Sequence, residues 1–218
     1  MEQEYLQANV EIDSQHPQIQ ELARDLTQSC YDEQEKARKL FYFVRDQIIY
    51  NMYPKDTDHT GYCASAILAR GEGWCLQKSI LAAALFRAAQ IPARLCFAEV
   101  INHALGEKAY AAIGTNHFSP HTYVEIALQQ QWVPITPIFD AALCQRLQVP
   151  TVEFDGIHPA MLSPTDLQGN AYMEYIRKTK GYAKAPWEYI FSEIKRVYGE
   201  KASIWFSRDF LEEGCGKI

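Results

Sequence analysis

The run Gly71-Glu72-Gly73-Trp74-Cys75 leads straight into a stretch in which Ile80, Ala83, Ala84, Leu85 and Ala88 are apolar and which Pro92 stops. Two glycines before the cysteine predict a turn, and the apolar run after it predicts a helix from about Cys75 to Ala89 with the cysteine in its first turn. The alanine density suits tight packing of this helix against other elements. A cysteine there faces the partial positive charge of unpaired backbone N–H groups. That favours a thiolate and offers donors to an oxyanion.

Residues 17–30 and 33–49 carry apolar side chains at helical spacing: Ile19, Leu22, Ala23 and Leu26, then Ala37, Leu40, Phe41, Val44 and Ile48. Tyr50 to Asp58 is broken by Asn51, Pro54 and Asp56 and reads as a loop, and 62–69 as a short helix. Ala93 to Ile101 predicts a strand. Asn102 to Pro120 predicts a long loop of the kind that serves as a lid. From His121 to Leu128 the pattern alternates, with His121, Tyr123 and Glu125 on one face and Thr122, Val124 and Ile126 on the other. Gln129 to Gln131 is the turn and Trp132 to Thr136 the return strand. Val149 to about Leu167 is irregular. Helical patterns come next around 168–178 and 186–199, and Gly214 and Gly216 mark a frayed tail.

With 218 residues and 48% hydrophobic content the chain can bury one sizeable core. We expect a single domain over 1–218, with a core at about 17–145 and a helical extension at about 150–218. The formal charge of −6 is scattered and no basic run exists to track phosphates, which argues against nucleic acid. Met1 to Val10 lacks an apolar signal core, and no stretch reaches the ~20 apolar residues that span a bilayer. The expectation is a soluble cytoplasmic protein without a membrane partner. The six cysteines, Cys30, Cys63, Cys75, Cys96, Cys144 and Cys215, are irregularly spaced, which argues against a disulfide framework or a zinc site. His117 and His121 stand four apart, but Pro120 between them speaks against a shared helical face, so no metal is expected. Neither a G-x-S-x-G nor a phosphate-cradling glycine loop is present.

The order Cys75, His121, Asp140 is what thiol-based acyl transfer requires: a nucleophile, a base and an orienter. His121 is expected to begin its strand. Asp140 offers a carboxylate that fixes the imidazole tautomer and stabilises its cation. Thr136, at the end of the return strand, has the more direct placement. The plainer reading of Asp140 is a turn-capping aspartate, and of Cys75 a buried structural thiol. Cys63 is its nearest rival, Cys96 lies inside an apolar strand, Cys30 and Cys144 sit in helical or turn segments, and Cys215 is expected to be exposed and incidental. Trp74 can wall the cleft or supply its indole N–H. Tyr50, Tyr53 and Tyr123 are further candidates near the thiol, and His103 and His117 lie in the long loop within reach of substrate.

Gly73-Trp74-Cys75, the alanine-rich helix, Ile91-Pro92-Ala93-Arg94, His121-Thr122-Tyr123-Val124-Glu125 and Trp132-Val133-Pro134, in this order, resemble the transglutaminase-like superfamily. The chain departs from that pattern at two places. Gln90 stands where the family has glycine, and Thr136 where it has aspartate before proline. Thr136-Pro137-Ile138-Phe139-Asp140, Phe154-Asp155-Gly156 and Met173-Glu174-Tyr175 resemble a bacterial branch, in which Asp140 would take the orienting role. The resemblance implies an α+β, papain-like core: N-terminal helices and a Cys-bearing central helix packed on an antiparallel sheet bearing His. It implies thioester chemistry on a peptide or protein amide without cofactor. Hydrolysis is the preferred outcome, since water is always present and no D-x-D-x-D-G calcium loop occurs. The alternatives are an amine acceptor, as in a protein-glutamine transglutaminase, or a non-catalytic peptide-binding module. Oligomeric state is not legible in the sequence.

Overall fold

The computed structural model describes residues 3–214, so Cys215 and Gly216 lie outside the described residues. In chain order the elements are α1 (Pro17–Thr27), α2 (Glu33–Gln47), β1 (Ile49–Tyr50), α3 (Ala64–Arg70), β2 (Glu72–Gly73), α4 (Cys75–Ala88), β3 (Ala93–Asn102), α5 (Glu107–Ile113), β4 (His117–Leu128), β5 (Gln131–Ile135), α6 (Ala141–Leu147), β6 (Met173–Lys178), α7 (Trp187–Tyr198) and α8 (Arg208–Gly214). β1 and β2 form a short parallel pair, and the main sheet is antiparallel in the order β5-β4-β3-β6.

Helix α4 organises the molecule. Every residue from Cys75 to Arg87 is buried, because α1, α2 and α3 pack on one side of it and β3 and β4 on the other. A helix enclosed on all sides must be apolar all round or bring partners for its polar groups. Both hold here. Leu76, Ile80, Leu81, Ala82, Ala83, Ala84, Leu85 and Phe86 are fully buried. Gln77 donates to Gly61 O at 3.0 Å, and Arg87 donates to Ala93 O at 3.0 and 2.8 Å. Lys78 Nζ donates to Arg45 O at 3.0 Å and also to Ile48 O, so it caps the carbonyl end of α2 from inside the core.

The sheet has two faces. Leu95, Phe97, Val124 and Ile126 join the large apolar cluster that contains α4. Cys96, Ala98, Val100 and Tyr123 form a second cluster with Phe118, Met161 and Tyr175 packed on it. The large cluster runs from Ile12 to Phe210, so the segments after α6 share the core of the first half.

Three local expectations are corrected. Residues 173–178 form a strand where a helical pattern was expected. Pairing such as Val100 with Tyr175 and Ile101 with Glu174 covers the β3 edge, whose backbone groups otherwise lack partners. The stretch 102–120 is not all loop: Gly106 precedes α5, and Gly114, at φ +87°, ends it. The same glycines that suggested a loop serve here as helix boundaries. Finally, His121 lies inside β4 rather than at its start, since pairing resumes at Phe118 and His117 beyond a register shift between Ala98 and Val100. Pro120 sits at that irregularity, where its missing N–H removes no regular ladder bond.

Candidate active site

The approach to Cys75 is not a continuous turn as expected, since Glu72–Gly73 pair with Ile49–Tyr50 as β2, and two glycines fix it for different reasons. Gly71 caps α3 in the left-handed region, at φ +71°. Gly73 allows a close approach, since a Cβ there would lie 2.9 Å from Gln77 Cβ. Trp74 then takes the N-cap position, its N–H reaching Gln77 Oε1 at 3.4 Å. The chain thus turns directly into α4 with Cys75 as its first helical residue.

Cys75 and His121 line the same cavity, of about 660 Å³. Both are almost buried, at 6% and 5% exposure. Strand β4 carries His121 and is held at its beginning by α7. The Ser119 hydroxyl donates to Glu193 at 2.5 Å, and Glu193 also receives Arg177 and Arg196 at 2.9 and 2.8 Å. His121 Nε2 is buried without a hydrogen-bond partner, whereas the Trp74 indole meets the Tyr62 phenol, the Thr122 hydroxyl the Cys75 sulfur and the Tyr175 phenol the Thr136 hydroxyl. Buried polar groups are ordinarily satisfied, so an imidazole nitrogen left open in the cavity wall marks a place prepared for something other than the fold. The Tyr175 ring meets the His121 ring edge-on, with centroids 5.9 Å apart.

The electrostatics differ from the expectation that the helix terminus depresses the thiol. Burial pushes Cys75 up to about 11. The N–H groups of Thr122, Leu76 and Cys75 itself, with the Thr122 hydroxyl, pull in the opposite direction and lose. A helix N-terminus contributes ~0.3–1 kcal/mol, and up to ~2 in favourable geometries. Removing a thiolate from water in an apolar pocket costs more. Burial alone lowers His121 to about 4. The resting pair is therefore a neutral thiol and a neutral imidazole. Among the described residues no hydrogen bond joins them.

The candidates for orienter lie elsewhere. Asp140 is the N-cap of α6: its carboxylate accepts from Leu143 N at 2.9 Å and from Tyr50 N at 3.3 Å. Thr136 is fully buried and its hydroxyl contacts Met161 Sδ at 3.2 Å. Neither makes a hydrogen bond to His121. Tyr50, Tyr53 and Trp74 line the cavity. The Trp74 indole lies beside the Tyr62 phenol, whose pKa it lowers against the larger effect of burial. Tyr123 is buried with Cys96 on the second face of the sheet, away from the cavity lining. His103 pairs with Glu174 at 2.9 Å, and His117 stands 3.7 Å from Glu99. Cys63 is half-buried and begins α3, but it does not line the cavity.

Residues the sequence did not single out complete the site. Thr122 presents its N–H and hydroxyl to the sulfur. Leu143, Leu147, Leu162, Met173, Tyr198 and Trp205 wall the cavity. Only the position of Thr122, next to His121, signals its part; the others reach the cavity through tertiary packing.

The sequence pattern of the transglutaminase-like superfamily matches residues 20–137, more than half of the chain. The chain belongs to the transglutaminase-like superfamily. The matched stretch of this superfamily member contains Cys75, His121 and Thr136. No curated protein matches the chain. Among solved structures it is similar to a "putative cysteine protease" from Cytophaga hutchinsonii, at 15% identity and TM-score 0.48, over 82% of this chain and 53% of that one. It is also similar to the periplasmic domain of TgpA from Pseudomonas aeruginosa, at 22% identity and TM-score 0.46, over 66% of this chain and 49% of that one. The chain thus spans about half the length of these two solved chains. Likenesses of this order bear on neither reaction nor substrate. Among the described residues no group of three or more His, Cys, Asp or Glu side chains is placed to hold a metal, and no helix is long and apolar enough to cross a membrane.

Proposed function

We propose that the chain is a cysteine-dependent acyl-transfer enzyme that acts on amide bonds through a thioester and hands the acyl group to water. Membership of the superfamily supports a cysteine-dependent enzyme. The observation that supports the finer reading is that Cys75 and His121 line one cavity, with His121 Nε2 buried and unpartnered. A neutral imidazole is the competent form of a base. As Cys75 sulfur attacks the carbonyl carbon, its proton passes to His121. The oxyanion faces the N–H groups at the start of α4. The His121 cation then protonates the amine as the C–N bond breaks, leaving the thioester. Water attacks the thioester carbonyl, His121 takes a proton from it, and the thiol recovers a proton as the acid leaves.

In this reading Asp140 supports the site from behind, by fixing α6 and the Tyr50 backbone, both of which line the cavity. We assign the protein to a reducing compartment such as the cytoplasm, which fits the five unbridged cysteines among the described residues.

The test is turnover of a peptide mixture with hydroxylamine present, which converts a thioester into a hydroxamate. Wild type is expected to form acid and hydroxamate, and folded Cys75→Ala neither. Full activity in folded Cys75→Ala would remove the nucleophile. A second reading, a peptide-binding module, is favoured by the missing Cys75–His121 hydrogen bond and the high thiol pKa. Retained peptide binding with no acid and no hydroxamate would decide for it.

A further inference from the structure

The cavity beside Cys75 is large for a site that needs only to seat a scissile amide. Its volume of about 660 Å³ is within the range that encloses a drug-sized ligand. Part of its lining comes from Leu143 and Leu147 of α6, Met173 of β6, Tyr198 and Trp205. All five lie beyond residue 137, so this part of the lining comes from outside the stretch that matches the superfamily. Besides the Cys75–His121 pair, the groups lining it that carry a full charge when ionised are Glu107 and Lys108, apart from the tyrosine phenols. Those two are of opposite sign and exposed on the first turn of α5. Asn51 and Asn102 also line it, but their side-chain oxygens already accept from Tyr53 N and Ala104 N at 2.9 and 3.0 Å. Each amide keeps its NH₂ group, a donor suited to a backbone carbonyl.

We infer that the acyl donor is a peptide carrying a bulky, uncharged apolar side chain, aromatic or branched aliphatic, which seats in the apolar part of the cavity that α6 lines with Leu143 and Leu147 while its amide lies at Cys75. This rests on the enzyme reading above and names its substrate class. A charged side chain would lose hydration with no counter-charge in the interior. An aromatic one would exchange water for apolar wall over most of its surface. A glutamine side chain would find fewer acceptors for its NH₂ group than it leaves behind in water.

The test separates binding from chemistry. Tripeptides acetyl-Ala-Xaa-Ala-amide, with Xaa Phe, Leu, Gln, Asp or Lys, are titrated into Cys75→Ala, with tryptophan emission reporting through Trp74 and Trp205. Phe and Leu are expected to bind at least tenfold more tightly than Asp and Lys, and more tightly than Gln. Leu143→Glu should cut the Phe advantage at least fivefold. Leu147→Glu should do the same at a residue 52% exposed, where a charge does not threaten folding. Equal affinities, no binding at millimolar peptide, or a Phe advantage that survives both variants would overturn the inference. The hydroxamate assay on wild type with the same peptides distinguishes the two readings. Binding preference without turnover keeps the ligand class and removes the enzyme. Turnover without apolar preference keeps the enzyme and removes the ligand class.

Discussion

The sharpest consequence of the site's burial concerns the pH at which Cys75 reacts. Its rise from 9.0 to about 11 corresponds to roughly 3 kcal/mol in favour of the neutral thiol. At pH ~8 the thiolate fraction falls to about one in a thousand, against about one in ten for a thiol at the ordinary value, so alkylation runs ~100-fold slower. Iodoacetamide modification of Cys75, located by peptide mass spectrometry, should therefore climb about tenfold per pH unit through pH ~8 to ~10 without a plateau. His121 stays neutral over that whole span, being lowered to about 4, so folded His121→Ala should show the same profile. A plateau below pH ~8 that vanishes in His121→Ala would demonstrate a resting thiolate–imidazolium pair, and would refute the argument that desolvation outweighs the helix terminus here.

Other consequences can be checked independently. Lys78, fully buried, is lowered from 10.5 to about 7, so the unfolded chain binds a proton more readily between those values and stability should rise with pH across them. The full amplitude is roughly 5 kcal/mol, and urea titrations at pH ~7 and ~10 should show a slope that Lys78→Met removes; an identical slope in the variant would contradict this. His121, lowered from 6.5 to about 4 by burial, makes the fold acid-sensitive: stability should decline by up to roughly 3 kcal/mol as pH falls through that window, and folded His121→Asn should flatten the decline. Asp140→Asn should keep both the α6 cap and turnover, whereas Asp140→Ala should lose about 1 kcal/mol of stability. A large loss of turnover in Asp140→Asn at unchanged stability would restore the carboxylate to a chemical role. Gln90 is exposed at φ +63° just after α4, so Gln90→Gly should raise the unfolding midpoint by the equivalent of about 1 kcal/mol; a lower midpoint would show that its contact with Arg87 O matters more than the strain.

Sequence pattern determined the local elements whose signals are themselves local. The helix beginning at Cys75 and the strand through His121 to Leu128 are observed, because backbone preferences act within a few residues, although that strand is buried on both faces and Glu72–Gly73 pair as β2 instead of turning. Tertiary structure decided what depends on neighbours far along the chain. Residues 173–178 became a strand because the β3 edge needed hydrogen-bond partners. Asp140 went to a helix cap and the Tyr50 backbone rather than to His121, since unpaired N–H groups lay within its reach. Protonation was decided in the same way. At the level of sequence Cys75 stands at a helix terminus that favours its anion; in the folded protein α4 is enclosed between helices and sheet, and desolvation, a property of everything packed around the sulfur, sets the balance the other way.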